Sequence, residues 1–229
     1  MTKKEIEERK FRPARQEADD AKKAIETPQT SSAAYKLAFQ DNEFLLREDL
    51  RPVRFQLELL KPQLLMDEAR IESTFVFYGS ARIPEPDQVQ ARIDAATTPE
   101  QKKIAENLGK KARYYEEARK LARIAAQYPV NAAGCRHFVV CSGGGPSIME
   151  AANRGAVDVG QTTIGMNIVL PHEQAPNLFV TPELSFQFHY FALRKMHFLL
   201  RARALAVFPG GFGTFDEMFE LLTLIQTGK

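Results

Sequence analysis

The chain has 229 residues, of which 44% are hydrophobic and 26% charged, the profile of a globular protein long enough to build a core without a disulfide or metal staple. Its 31 Lys and Arg against 29 Asp and Glu leave a formal net charge of +2, which argues against a mainly electrostatic nucleic-acid partner but leaves room for a small phosphorylated ligand. Two cysteines make no disulfide framework, no apolar run reaches membrane-spanning length, and the charged N-terminus lacks a signal-peptide core, so no membrane partner and a cytoplasmic location are expected.

Residues 1–33 are polar and mixed in charge, and are expected to form a frayed or disordered arm with some helical tendency. Residues 34–72 read as a helical lead-in packed on the main domain. Leu37, Phe39, Phe44, Leu45, Leu57, Leu60 and Leu64 fall loosely at helical spacing, and Pro52 and Pro62 are expected to break it into short helices. The main domain is expected over residues 73–229. Thr74–Tyr78 reads as a strand closed by a tight turn at Gly79-Ser80-Ala81-Arg82. Residues 83–98, with Pro84 and Pro86, read as an irregular insertion. Residues 100–127 predict one long helix, with Ile104, Leu108, Ala112, Tyr115, Leu121 and Ile124 facing inward.

His137–Cys141 predicts a second strand, followed by Gly143-Gly144-Gly145-Pro146 and a helix to about Val157. Thr162–Leu170 predicts a third strand, residues 186–202 a helix, and Ala204–Phe208 a fourth strand. Pro209-Gly210-Gly211-Phe212-Gly213 then leads into a helix over residues 214–226. Apolar strands alternating with helices indicate a parallel sheet covered on both faces, an α/β Rossmann-like doubly wound fold with an N-terminal helical extension. Ligands in such sheets bind beyond the carboxyl ends of the strands, where three glycine-bearing turns stand.

Each turn has a bland and a functional reading. The Gly143–Gly145 loop is either a connector needing unusual dihedrals or a phosphate cradle, with Pro146 suited to the first helical position and free amides behind it. Neither glycine loop fits G-x-G-x-x-G, since Ile148 and Asp216 stand where the third glycine belongs, and no P-loop occurs. A mononucleotide or sugar phosphate therefore suits better than a dinucleotide. Thr214 and Glu217 fit a T-x-x-E capping box, in which Glu217 would only satisfy a backbone amide. Alternatively Glu217 faces a sugar, where a carboxylate stabilises positive charge as an N-glycosidic bond breaks, or activates water. Arg194 and Lys195 interrupt an apolar stretch, and either snorkel at a helix edge or meet an anion. His137, His172, His189 and His197 are scattered without metal-ligand spacing, so no metal or other cofactor is expected.

The run Pro209-Gly-Gly-Phe-Gly-Thr-Phe-Asp-Glu217 fits P-G-G-x-G-T-x-x-E, with Arg194-Lys195 before it and Gly143-Gly-Gly-Pro146 upstream. Together these motifs resemble the Lonely Guy (LOG) family of cytokinin riboside 5′-monophosphate phosphoribohydrolases, whose members also go by the older name of possible lysine decarboxylases. The resemblance covers roughly residues 74–229, and the lead-in is similar to the long bacterial form. It implies hydrolysis of a nucleoside 5′-monophosphate to free base and ribose 5-phosphate. Arg194 and Glu217 would be the catalytic pair. Gly210, Gly211, Phe212, Gly213 and Thr214 would hold the 5′-phosphate, Lys195 would add charge, and Gly79, Ser80, Gly143, Gly144 and Gly145 would line the nucleotide.

Short plant-type members carry Met-His-x-Arg-Lys where this chain has Phe191-Ala192-Leu193-Arg194-Lys195, so the base pocket is expected to differ, and AMP suits as well as an N6-prenylated nucleotide. The resemblance also implies a homo-oligomer, a dimer at least. Related proteins bind molybdenum cofactor, which leaves a non-catalytic nucleotide or cofactor carrier as the alternative. Members usually continue past Thr227-Gly228-Lys229, so truncation there is expected.

Overall fold

The computed structural model describes residues 12–171 and 175–229, so His172 and the first 11 residues of the expected 1–33 arm lie outside the described residues. The chain divides into two compact units, Met1–Gln56 and Leu57–Lys229. In the first, α1 (Ala14–Ala21) is followed by short 3-10 turns and by α2 (Asn42–Leu45), whose start is capped by the Asp41 carboxylate accepting from Phe44 N–H at 3.3 Å.

α3 (Arg51–Glu68) contradicts the expected break, because Pro62 lies inside one continuous helix. A helix-interior proline leaves the carbonyl four residues back without its donor. That carbonyl is Glu58 O, and the buried His197 ring donates to it from Nε2 at 3.2 Å. The lost helical bond is thus replaced from another element.

The second unit holds a five-stranded, all-parallel sheet: β1 (Thr74–Tyr78), β2 (Val139–Ser142), β3 (Thr163–Ile168), β4 (Ser185–Phe188) and β5 (Ala202–Val207), ordered β4-β3-β2-β1-β5. This is the Rossmann-like α/β architecture expected from the sequence. The reversal of strand order beside β1 places the turns after β1 and β5 around one crevice at the carboxyl edge.

Register fixes which side chains share a face. Val76, Cys141 and Ile164 are aligned across the sheet, as are Phe77, Ser142 and Gly165 on the other face. α6 (Arg113–Ala126) and α7 (Ile148–Val157) cover the Phe77 side. Their alanines Ala122, Ala152 and Ala156 pack around Phe77 and Val140. At Gly155 any Cβ would collide with Arg119 O, so this helix pair closes only over glycine. Complete burial of Phe77 alone stabilises by roughly 2–3 kcal/mol. α8 (Phe191–Leu200) and α9 (Phe212–Thr227) contribute to the opposite face, where Tyr78 meets Phe198 edge to face at 5.2 Å.

Four further sequence expectations need correction. Residues 83–98 are not wholly irregular: Pro86 opens a 3-10 turn that runs into α4 (Val89–Asp94). The long helix is two, α5 (Pro99–Gly109) and α6. Pro99 opens α5 behind a Thr98–Gln101 capping box, and Ile104 and Ile124 are exposed. β4 precedes α8 where one helix was expected, since Ser185–Phe188 pairs in parallel with Gly165–Ile168. Pro146 stands outside α7, and Ser147 takes the cap position at φ 68°. Among the described residues no helix is long and apolar enough to cross a membrane.

Candidate active site

Arg194 and Glu217, expected to act together, do meet. Arg194 Nη1 lies 3.3 Å from Glu217 Oε1, with the two side chains only 12% and 14% exposed. The guanidinium is held from three sides: Nε donates to Met166 O at 2.7 Å, its plane lies 4.9 Å from the Phe198 ring centre, and Nη2 faces Gly143. A Cβ on Gly143 would come within 2.6 Å of Nη2, so only glycine admits the guanidinium there.

Burial pushes the Glu217 carboxyl up from its ordinary range to about 7; Arg194 opposes this, and the nearby Asp216 adds to it. Desolvation therefore outweighs the ion pair, and the acid is poised near neutrality. Tyr78 and Cys141 border the same space, and burial, with Glu217 adding to it, raises both of their pKa values.

The capping-box reading of Thr214 and Glu217 does not hold. α9 begins at Phe212 behind Gly211, so Thr214 already lies inside the first turn and Glu217 inside the second. No side chain caps this end. The amides of the first turn, Phe212, Gly213 and Thr214, therefore face the crevice without helical acceptors, an arrangement suited to an anion. Thr214 is 7% exposed and packs on Gly210, while Gly213 borders open space and Phe212 is exposed. A Cβ at Gly210 would collide with the Thr214 hydroxyl. Gly210→Ala is accordingly expected to destabilise by about 1–3 kcal/mol, checked by thermal unfolding. An unchanged melting temperature would refute the close contact.

The other predicted residues divide. Ser80 ties three turns together: its N–H donates to Pro209 O at 3.0 Å, its carbonyl accepts from Ile148 N–H at 3.2 Å, and its hydroxyl accepts from Arg82 N–H at 3.0 Å. Gly79 packs against Ile148, with Cγ2 2.5 Å from where a Cβ would stand. Lys195 is drawn elsewhere, to Asp216 at 3.2 Å and Glu220 at 3.1 Å on α9.

The loop Gly143–Gly145 is shaped by residues that sequence reasoning missed. Gly144, at φ 72°, donates its N–H to Ser142 Oγ at 3.0 Å. Ser142 Oγ in turn donates to Asn153 Oδ1 at 2.7 Å. Asn153, fully buried on α7, also donates to Thr163 Oγ1 and to Ile164 O. Asn177 donates from Nδ2 to Asn153 Oδ1 at 3.0 Å and to the carbonyls of Gly144 and Gly145 at 3.1 and 2.9 Å. A lone asparagine among the alanines of an apolar helix face was the available signal for this hub.

A second group acts on the helix that carries Arg194. The Glu58 carboxylate accepts from the N–H groups of His189 and Tyr190 at 2.9 and 3.2 Å, immediately before α8. Beyond its far end, Arg201 donates to Asp67 Oδ1 at 2.7 Å, to Gln63 O at 3.2 Å and to Ile71 O. α8 is thus fixed to the Glu58–Asp67 stretch at both ends. Among the described residues no three His, Cys, Asp or Glu stand together as a metal site.

A family model described as "Possible lysine decarboxylase" matches residues 149–229, which include Arg194, Lys195 and the whole 209–217 run. No curated protein matches. Among solved structures, the X-ray structure of TM1055, a structural-genomics target, is 21% identical at a TM-score of 0.38. The match covers 64% of this chain and 66% of that one, just under two thirds of the solved chain's length.

Proposed function

We propose that the chain is a LOG-type hydrolase that cleaves the N-glycosidic bond of a nucleoside 5′-monophosphate, AMP among the candidates, to free base and ribose 5-phosphate. The observation that carries this reading is the buried Arg194–Glu217 pair beside the uncapped first turn of α9. The 5′-phosphate would lie on the amides of that turn, with the Thr214 hydroxyl. Glu217 would then face the ribose. As the bond from the anomeric carbon to the base nitrogen breaks, its electron pair leaves with the base and positive charge develops on the ribose. The Glu217 carboxylate stabilises that charge and takes a proton from the attacking water, which the departing nitrogen recovers. Arg194 favours the ionised form of Glu217 and orients it.

A decarboxylase using pyridoxal phosphate, as the matched model's description suggests, would need a Schiff-base lysine of depressed pKa. Lys195 does not fit. Although burial works against its charge, Glu220 and Asp216 outweigh this and raise its pKa. A nucleotide or molybdenum-cofactor carrier would need the anion-binding turn but no buried acid poised near neutrality.

The test is incubation with AMP, CMP, IMP and N6-isopentenyl AMP, with chromatographic detection of free base and ribose 5-phosphate. Release of base from at least one is expected. No release from any of them would overturn the assignment.

A further inference from the structure

A cavity of about 370 Å³ opens on the α7 side of the sheet beyond β3 and β4. Its polar lining is Asn167, Ser185 and Gln187, and its apolar lining includes Val169, Leu170 and Pro176. The size is within the range of small-ligand pockets. Asn167 is 4% exposed, yet its Oδ1 finds no hydrogen-bond partner among the described residues. A buried carboxamide left unpaired is costly, and a protein of ordinary stability keeps few of them. The β3–β4 register places Asn167 directly beside Gln187, so two carboxamides stand side by side on one face of the sheet.

Two consecutive glycines stand between the cavity and the Arg194–Glu217 site. Gly143 lies against the Arg194 guanidinium, and Gly144 against the Asn167 carboxamide so closely that a Cβ would collide with Oδ1. Strand order β3-β2-β1-β5 puts this carboxamide three inter-strand steps from the first turn of α9, about 14 Å at ordinary strand spacing. That is comparable to an extended nucleoside monophosphate.

We propose that this pocket receives the base of the nucleotide, with Asn167 and Gln187 reading its hydrogen-bonding edge, an inference that rests on the nucleotide reading above. A carboxamide offers one acceptor beside two donors, which matches the adjacent donor and acceptor atoms of a nucleobase edge. The phosphate lies at β5, the ribose at Glu217, and the base at β3 and β4. The apolar residues that line the pocket would flank its ring.

Binding separates this inference from the catalytic one. The full chain carrying Glu217→Gln is titrated calorimetrically with AMP, IMP, CMP and ribose 5-phosphate, with and without Asn167→Ala or Asn167→Asp. Asn167→Ala is expected to weaken at least one nucleotide roughly tenfold or more while leaving ribose 5-phosphate unchanged. Asn167→Asp, which exchanges donors for an acceptor, is expected to alter the ranking of the three nucleotides. Equal weakening of ribose 5-phosphate would mean that Asn167 acts through the glycine loop, and would overturn the pocket assignment. So would unchanged nucleotide affinities. Gln187→Ala, at an exposed position, carries the same comparison should Asn167→Ala lose cooperative unfolding. Failure of the Glu217→Gln chain to bind any nucleotide or ribose 5-phosphate would instead sink the nucleotide reading itself.

Discussion

Glu217→Gln is expected to lower kcat for base release by at least 100-fold, with a smaller effect on KM. In the proposed reaction the carboxylate acts on charge and a proton that appear only as the glycosidic bond breaks. The pH profile makes the expectation sharper. The active form in that reaction would be the anion, and burial raises its pKa to about 7, so log kcat should rise with pH and level off above that value. Arg194 at present lowers that pKa, so Arg194→Ala should move the rising limb to higher pH as well as reduce its height. Arg194→Lys should not restore the wild-type profile, because a single ammonium cannot hold Met166 O and Glu217 in the fork geometry.

Stability gives an independent reading of the same group. The folded pKa lies above the unfolded one, so the native state retains a proton that the unfolded chain has lost. Its stabilising contribution is complete below about pH 4.5 and disappears as pH rises through about 7. Melting temperatures of wild type and Glu217→Gln should therefore diverge across that window in favour of Gln. Parallel curves would show that Glu217 is solvated. Activity that survives in both Glu217→Gln and Arg194→Ala would move the catalytic site elsewhere.

The second large effect is expected far from the substrate. Asn153→Leu keeps the volume but removes a hub that serves Ser142, Thr163, Ile164 and Asn177. Several buried polar groups would lose a partner at once, for a loss of about 3 kcal/mol or more. In a domain of this size that corresponds to a fall in melting temperature of roughly 10 °C. Ser142 and Asn177 also hold Gly144, so kcat/KM for base release should fall in the surviving folded protein. A melting temperature within 1 °C of wild type would refute the hub.

Four of the five strands were legible because each is a short β-rich apolar run that soon meets a glycine or a proline. β4 was not. Its four residues merge into the aromatic run 188–191, whose spacing also suits a helix, and only pairing with β3 decides between the two. The prolines misled for a physical reason. Pro86 and Pro99 start helical turns, where a missing N–H costs nothing, and Pro62 survives inside α3 because His197 answers the carbonyl it frees. The pairing of Arg194 with Glu217 followed from a motif resemblance, whereas spacing alone favoured a cap at Thr214. The placement of the helix start two residues earlier decides that question. The partners of Glu58, Asn153 and Asn177 could not be read from sequence, since most of their contacts join segments well apart in the chain.

The double attachment of α8 bears on how tightly substrate can be held. An arginine side chain carries about 2 kcal/mol of rotamer entropy when free. In this fold Glu58 and Arg201 fix the helix, while Met166 and Phe198 fix the side chain that projects from it. That disorder has been removed during folding, before any ligand arrives. Encounter with the proposed nucleotide would then spend little of its interaction energy on ordering the guanidinium, leaving more of it for affinity.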